Sequence, residues 1–110
     1  MSRKIEDNMI SAINRGVEWH CDNTRVHHDP VIDGVEVEVY LHNHLIAKRY
    51  KGGGWAFTLA GWNTRTTRSR VNALINCYVT PRAGVYTRRG QAMITTSTGV
   101  VRPIDADEWF

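Results

Sequence analysis

A chain of 110 residues, 42% hydrophobic and 23% charged, is sized for one domain and is too rich in spaced apolar residues to be disordered. No stretch approaches the roughly 20 apolar residues of a membrane span, and the opening Met-Ser-Arg-Lys-Ile-Glu-Asp lacks the apolar run of a signal peptide. A net charge of +3 names no partner by itself, and two cysteines, Cys21 and Cys77, are too few for a disulfide scaffold and suit a reducing interior.

The spacing predicts a first helix over 3–15, within an N-terminal helical segment 1–16. Ser2 is its cap, Glu6 and Asp7 lie near its positive end, and Ile5, Met9, Ala12 and Ile13 form its apolar stripe. Gly16 stands where a left-handed residue ends helices. The period then changes to two, and an antiparallel meander is expected over 17–60. Val17, Trp19 and Cys21 alternate with Glu18 and His20, Asp22-Asn23 turns the chain, and Thr24 to His28 return. Asp29-Pro30 marks a break, and Asp33-Gly34 leads into Val35, Val37, Val39 and Leu41 on one strand face, with Glu36, Glu38 and Tyr40 on the other. A turn at Asn43-His44 leads to a strand from Leu45 to Lys51. Beyond Gly52-Gly53-Gly54, Trp55, Phe57 and Leu59 alternate with Ala56, Thr58 and Ala60.

A second helix is expected over 66–78, capped by Thr66 and buried through Val71, Leu74, Ile75 and Tyr78, with Pro81 beyond its end. A terminal hairpin over 85–96 turns at Arg89-Gly90, and an acidic tail covers 103–110. The expected fold is a single small α+β domain, an antiparallel sheet of about five to seven strands with two helices packed on one face.

The chain offers little for catalysis. The five histidines (His20, His27, His28, His42, His44) lack the close ligand pairs of a zinc site, so no metal is expected. Cys21 and Cys77 read as core cysteines with no activating base nearby. Glu36 with Glu38, and Asp105 with Asp107, read as solvated acid, and the triple glycine lacks the Lys-Ser/Thr of a phosphate loop. The chain is read as no enzyme, without a cofactor.

Charge by position is more informative. Residues 1–47 carry four basic and eight acidic side chains, residues 48–102 carry ten basic and none acidic, and the last eight residues carry three acids. Either this block presents a basic field to phosphate or to an acidic protein, or the fold interleaves the segments and the charges cancel. Within the block, Gly61-Trp62-Asn63-Thr64-Arg65-Thr66-Thr67-Arg68-Ser69-Arg70 combines arginines, hydroxyl groups and a helix start, a setting that favours anions. Tyr50, Trp62 and Tyr86 are the aromatics expected to be exposed for base stacking.

The segments Leu41-His42-Asn43-His44-Leu45-Ile46-Ala47 and Thr58 to Leu74 resemble a family of small tailed-bacteriophage proteins. That family carries an L-A-G-W run followed by a T-x-T-T-x-S-R-x-N-A-L helix start. The resemblance covers roughly residues 35–90 and implies a phage origin, with no active site to carry over. The family turn prefers glycine near Asn43, where asparagine tolerates a positive φ.

The expected function is a non-enzymatic phage-type protein in the host cytoplasm, binding DNA or RNA through a basic face around the second helix. Arg65, Thr67, Arg68, Arg70, Lys48, Arg49, Lys51, Arg88 and Arg89 would meet phosphates, with Trp62 and Tyr50 stacking on bases. The alternative is a small phage protein that binds an acidic host protein and modulates it, with homo-oligomerisation through the C-terminal tail also open. No membrane partner is expected.

Overall fold

The computed structural model of the protein describes residues 3–28 and 34–110. The Ser2 cap, the Asp29-Pro30 break and Asp33 lie outside them. Two compact units divide the chain, residues 1–57 and 58–110. The α+β class is borne out, and both sheets are antiparallel. The strands are shared between two sheets, however, and each sheet carries its own helix.

In the first unit, α1 (Arg3–Arg15) packs on β1 (Trp19–Cys21) and β2 (Thr24–His28). Met9, Ala12 and Ile13 are buried, as their spacing requires. Gly16 ends the helix at φ +68, with its N–H on the Ile13 carbonyl and that of Val17 on the Ala12 carbonyl. These two bonds satisfy carbonyls that the helix leaves open, and only glycine adopts that φ without strain.

The sheet continues through β3 (Val35–Leu41), β4 (His44–Tyr50) and β5 (Trp55–Phe57) in sequence order. Val37, Val39 and Leu41 are buried on the expected face. The β3–β4 turn is His42-Asn43 rather than Asn43-His44, with φ of 51° and 65° and Leu41 opposite His44. A two-residue hairpin loop of this kind needs both central residues at positive φ, so the asparagine takes the second place. Two bulges adjust the pairing. Ile46 is the extra residue on β4, which lets Ile46 and Ala47 both be buried, and Glu36 is the extra residue on β3.

β5 stops at Phe57, short of the expected Ala60. The Thr58 hydroxyl accepts a hydrogen bond from the Ala60 N–H, and Ala60 and Gly61 turn the backbone at φ of 55° and 85°. Extended pairing cannot run through two left-handed residues.

In the second unit, α2 (Arg65–Tyr78) packs on β6 (Gly84–Arg88), which pairs with β7 (Gln91–Thr95), which pairs with β8 (Val101–Pro103). The turn at Arg89-Gly90 is borne out, with φ of 51° and 80°. β8 falls where only an extended tail is expected. Val71, Leu74, Ile75, Val85, Ala92, Ile94 and Ile104 are all buried within this unit.

β6 is an edge strand, and a side chain of α2 covers its open edge. The Asn72 amide donates to the Val85 carbonyl at 2.8 Å, and its oxygen accepts from the Val85 N–H at 2.7 Å. One amide therefore supplies both bonds of a missing neighbouring strand. The fit is close at Gly84, where an added Cβ would lie 3.1 Å from the Asn72 oxygen and would press on that amide. Asn72→Ala should cost about 2 kcal/mol in urea unfolding, because both groups of a buried residue lose their partner. It should also speed exchange of the Val85 amide hydrogen.

Candidate nucleic-acid interface

The loop 58–64 leads into α2, and its last two residues set the geometry of the surface. Thr64 is the cap, two residues before the expected Thr66. It has an extended backbone at φ −111 and ψ 159, and its hydroxyl accepts from the Thr67 N–H at 3.2 Å. Asn63, just before it, reaches in two directions. Its amide donates to the Thr87 hydroxyl at 3.4 Å and to the Gly90 carbonyl at 3.3 Å. Its backbone carbonyl accepts from the Arg68 guanidinium at 3.1 Å, and its side-chain oxygen accepts from the same nitrogen.

Asn63 thus ties three parts of the second unit: the loop carrying Trp62, the first turns of α2 with Arg65 and Arg68, and the Arg88-Arg89-Gly90 turn. Arg65, Arg88 and Arg89 are exposed, Arg68 is half-buried and held by Asn63, and Trp62 is 55% exposed. The first turn of α2 contains no acidic residue. Arginines at the positive end of a helix dipole are electrostatically misplaced by a few tenths of a kcal/mol each, unless an anion joins them.

Two of the expected residues are withdrawn from this surface. Thr67 is 2% and Arg70 3% exposed. Both continue the buried stripe of Val71 and Leu74 one turn back toward the helix start, at i−4, so helical periodicity turns them inward. The Thr67 hydroxyl lies 2.8 Å from that of Thr64 and serves the cap.

Lys48, Arg49, Tyr50 and Lys51 belong to the first unit. There Lys48 lies opposite Glu38 across the β3–β4 pair, and Arg49 bonds the bulged Glu36 at 2.9 Å while covering the Trp55 ring at 5.7 Å. The Lys48 ammonium stands 5.5 Å over Tyr50, which is exposed, as is Lys51. The acid-free block of the sequence is therefore not acid-free in space at this point. The acids of the preceding strand cross over to it, as antiparallel pairing dictates.

The acidic tail is part of the second unit's fold. Ile104 is buried, its N–H bonds the Ala92 carbonyl, and Gln91 donates to its carbonyl at 2.8 Å. The Ala106 carbonyl accepts from the Gly61 N–H at 3.0 Å, and Glu108 pairs with Arg102 at 2.7 Å. Trp109 is 40% exposed, and both it and Phe110 make contacts of their own.

Elsewhere, Glu18 accepts from the His28 N–H at 2.6 Å and meets the His27 ring at 2.9 Å, which holds its carboxyl below the usual range. Among the described residues, no three His, Cys, Asp or Glu side chains are grouped to hold a metal ion. No helix among them is long and apolar enough to cross a membrane.

The sequence did not point to Asn63. Its partners Thr87 and Gly90 lie 24 and 27 residues away, and no local spacing announces such a bond. A signal for Thr67 and Arg70 did exist, in the backward extension of the helix stripe.

These features define a small α+β protein whose basic residues on the second unit gather around one helix start and one hairpin turn. The chain belongs to the Kyanoviridae Gp96 protein family, a bacteriophage family, and the family model matches residues 2–110. That match takes in the first helix and the tail, beyond the 35–90 span of the sequence resemblance. No curated protein and no solved structure matches the chain.

The Arg102–Glu108 contact gives a pH test. The Arg102 guanidinium first, and the Asp105 N–H second, hold the Glu108 carboxyl below its ordinary value of 4.5. A carboxyl that titrates lower when folded stabilises the fold above its unfolded pKa and loses that contribution as the pH falls through the folded midpoint. A carboxyl-carbon NMR titration should place the Glu108 midpoint below 4.5, returning toward 4.5 in Arg102→Ala.

Proposed function

We propose that this phage protein is a non-catalytic nucleic-acid-binding protein of the host cytoplasm, and that the surface around Asn63 is its phosphate-binding site. The observation that carries the reading is the tie from Asn63 to Gly90, which holds the exposed Arg88-Arg89 turn beside the arginine-bearing start of α2. One exposed arginine at a helix start with no acid in its first turn, with two more on the turn bonded to the loop before it, suits a polyphosphate. Arg68 acts as a positioning residue, because its guanidinium is engaged with Asn63. Trp62 supplies an exposed ring next to the site.

The second unit carries seven arginines against three acidic residues, whereas the first carries seven basic residues against eight acidic ones. The field that attracts a phosphate backbone is therefore a property of the second unit. This supports the nucleic-acid reading, and exposure beside the Asn63 bonds selects Arg65, Arg88 and Arg89 as the phosphate contacts.

The test is binding to DNA and RNA as a function of salt. Three phosphate contacts predict a slope of log K against log salt of about −2 on a single strand. Arg88→Ala with Arg89→Ala should weaken binding at least about tenfold near 50 mM salt and flatten the slope by more than 1, while Arg15→Ala on α1 should leave both unchanged. Absence of binding to any nucleic acid at that salt, with capture of a host protein instead, would turn the site over to an acidic protein partner.

A further inference from the structure

The alternation of β6, together with its register on β7 and β8, sorts this sheet into two faces. Val85, Ala92, Ile94 and the following Ile104 are buried on one. Gly84, Tyr86 and Arg88 point to the other, opposite Thr95, Met93 and Gln91, and beyond these lie Val101 and Pro103. That second face is open. Tyr86 is 36% exposed, Arg88 and Gln91 are exposed, and all three residues of β8 are exposed.

At the α2 side of this face lies a shallow, widely open cleft of about 310 Å³ lined by Asn72, Asn76, Arg82, Tyr86 and Thr95. Asn72 is committed to the backbone of Val85, so its amide is already engaged. Asn76 stands one helical turn on from Asn72 and is exposed, as is Arg82. Neither side chain has a hydrogen bond among the described residues. The cleft therefore offers an aromatic face, an amide with donor and acceptor, and a guanidinium on an open surface. These are the groups needed to stack a base and bond its edge.

Tyr86 and Arg88 are two residues apart on the same face, about 7 Å at the rise of a strand. Arg88 leads into the turn that Asn63 bonds from the opposite face, through Thr87 and Gly90. A duplex keeps its bases stacked inside, so its bases cannot enter this cleft. A single strand has unstacked bases to offer.

We infer that the open face of the β6–β7–β8 sheet is a single-strand platform, with one base lodged against Tyr86 between Asn76 and Arg82. This rests on the nucleic-acid reading above and adds a choice of strand form. The chain should prefer single-stranded to duplex nucleic acid.

The experiment titrates the full-length protein with fluorescently labelled oligothymidylate and with a duplex of equal length, in wild type, Tyr86→Leu and Tyr86→Phe. Wild type should bind the single strand at least about tenfold more tightly, in line with the loss of one stacked base. Tyr86→Leu should lose that preference while keeping its salt slope, and Tyr86→Phe should keep both. Equal affinity for both forms in wild type, or a preference that survives in Tyr86→Leu, overturns the platform and leaves the phosphate site standing. Binding of neither form overturns both. Because Tyr86 is exposed, the leucine variant is expected to fold, and the phenylalanine variant separates loss of the ring from loss of the hydroxyl.

Discussion

The candidate interface depends on one side chain. Asn63 spends its donor on the β6–β7 hairpin and its acceptor on α2, and its own carbonyl takes a further bond from Arg68. An asparagine is suited to this because its amide carries donors and an acceptor on one planar group, where an acid would offer only acceptors. Asn63 is the side chain through which the loop before α2 is bonded to the turn that carries Arg88 and Arg89. Like charges held together cost free energy in the unliganded protein. They make sense where an anion offsets that cost.

Asn72 repeats the same logic two helical turns further along. There the amide replaces a strand on the open edge of β6, and Gly84 leaves the room it needs. The two asparagines hold β6 against α2 from its turn to its start. The outer face of β6 is thereby left clear, with Tyr86 and Arg88 directed away from the core. The binding surface follows from how the edge strand is covered.

Local patterns made much of this architecture legible. Met9, Ala12 and Ile13 marked the face of α1, Gly16 its end, and Val37, Val39 and Leu41 the inner face of β3. Arg89-Gly90 announced a turn because both positions favour or tolerate a positive φ there. The split into two sheets was less visible. Thr58, Leu59 and Ala60 continue the alternation of β5 on paper, and only the left-handed backbone of Ala60 and Gly61 stops the strand. The charge block was misleading for a related reason. Sequence order placed Lys48 and Arg49 with the later arginines, whereas strand pairing placed them against Glu38 and Glu36. The chemistry of Arg70 suits a phosphate, but its helical position turns it inward.

The central claim is that Asn63 assembles the phosphate site without itself contributing charge. The most direct measurement is the salt dependence of oligothymidylate binding by Asn63→Ala, with its circular dichroism matched to wild type. The account predicts a wild-type slope of about −2 that falls to about −1 in the variant, because the hairpin arginines no longer sit beside those of α2. An unchanged slope and affinity in a folded Asn63→Ala protein would contradict it.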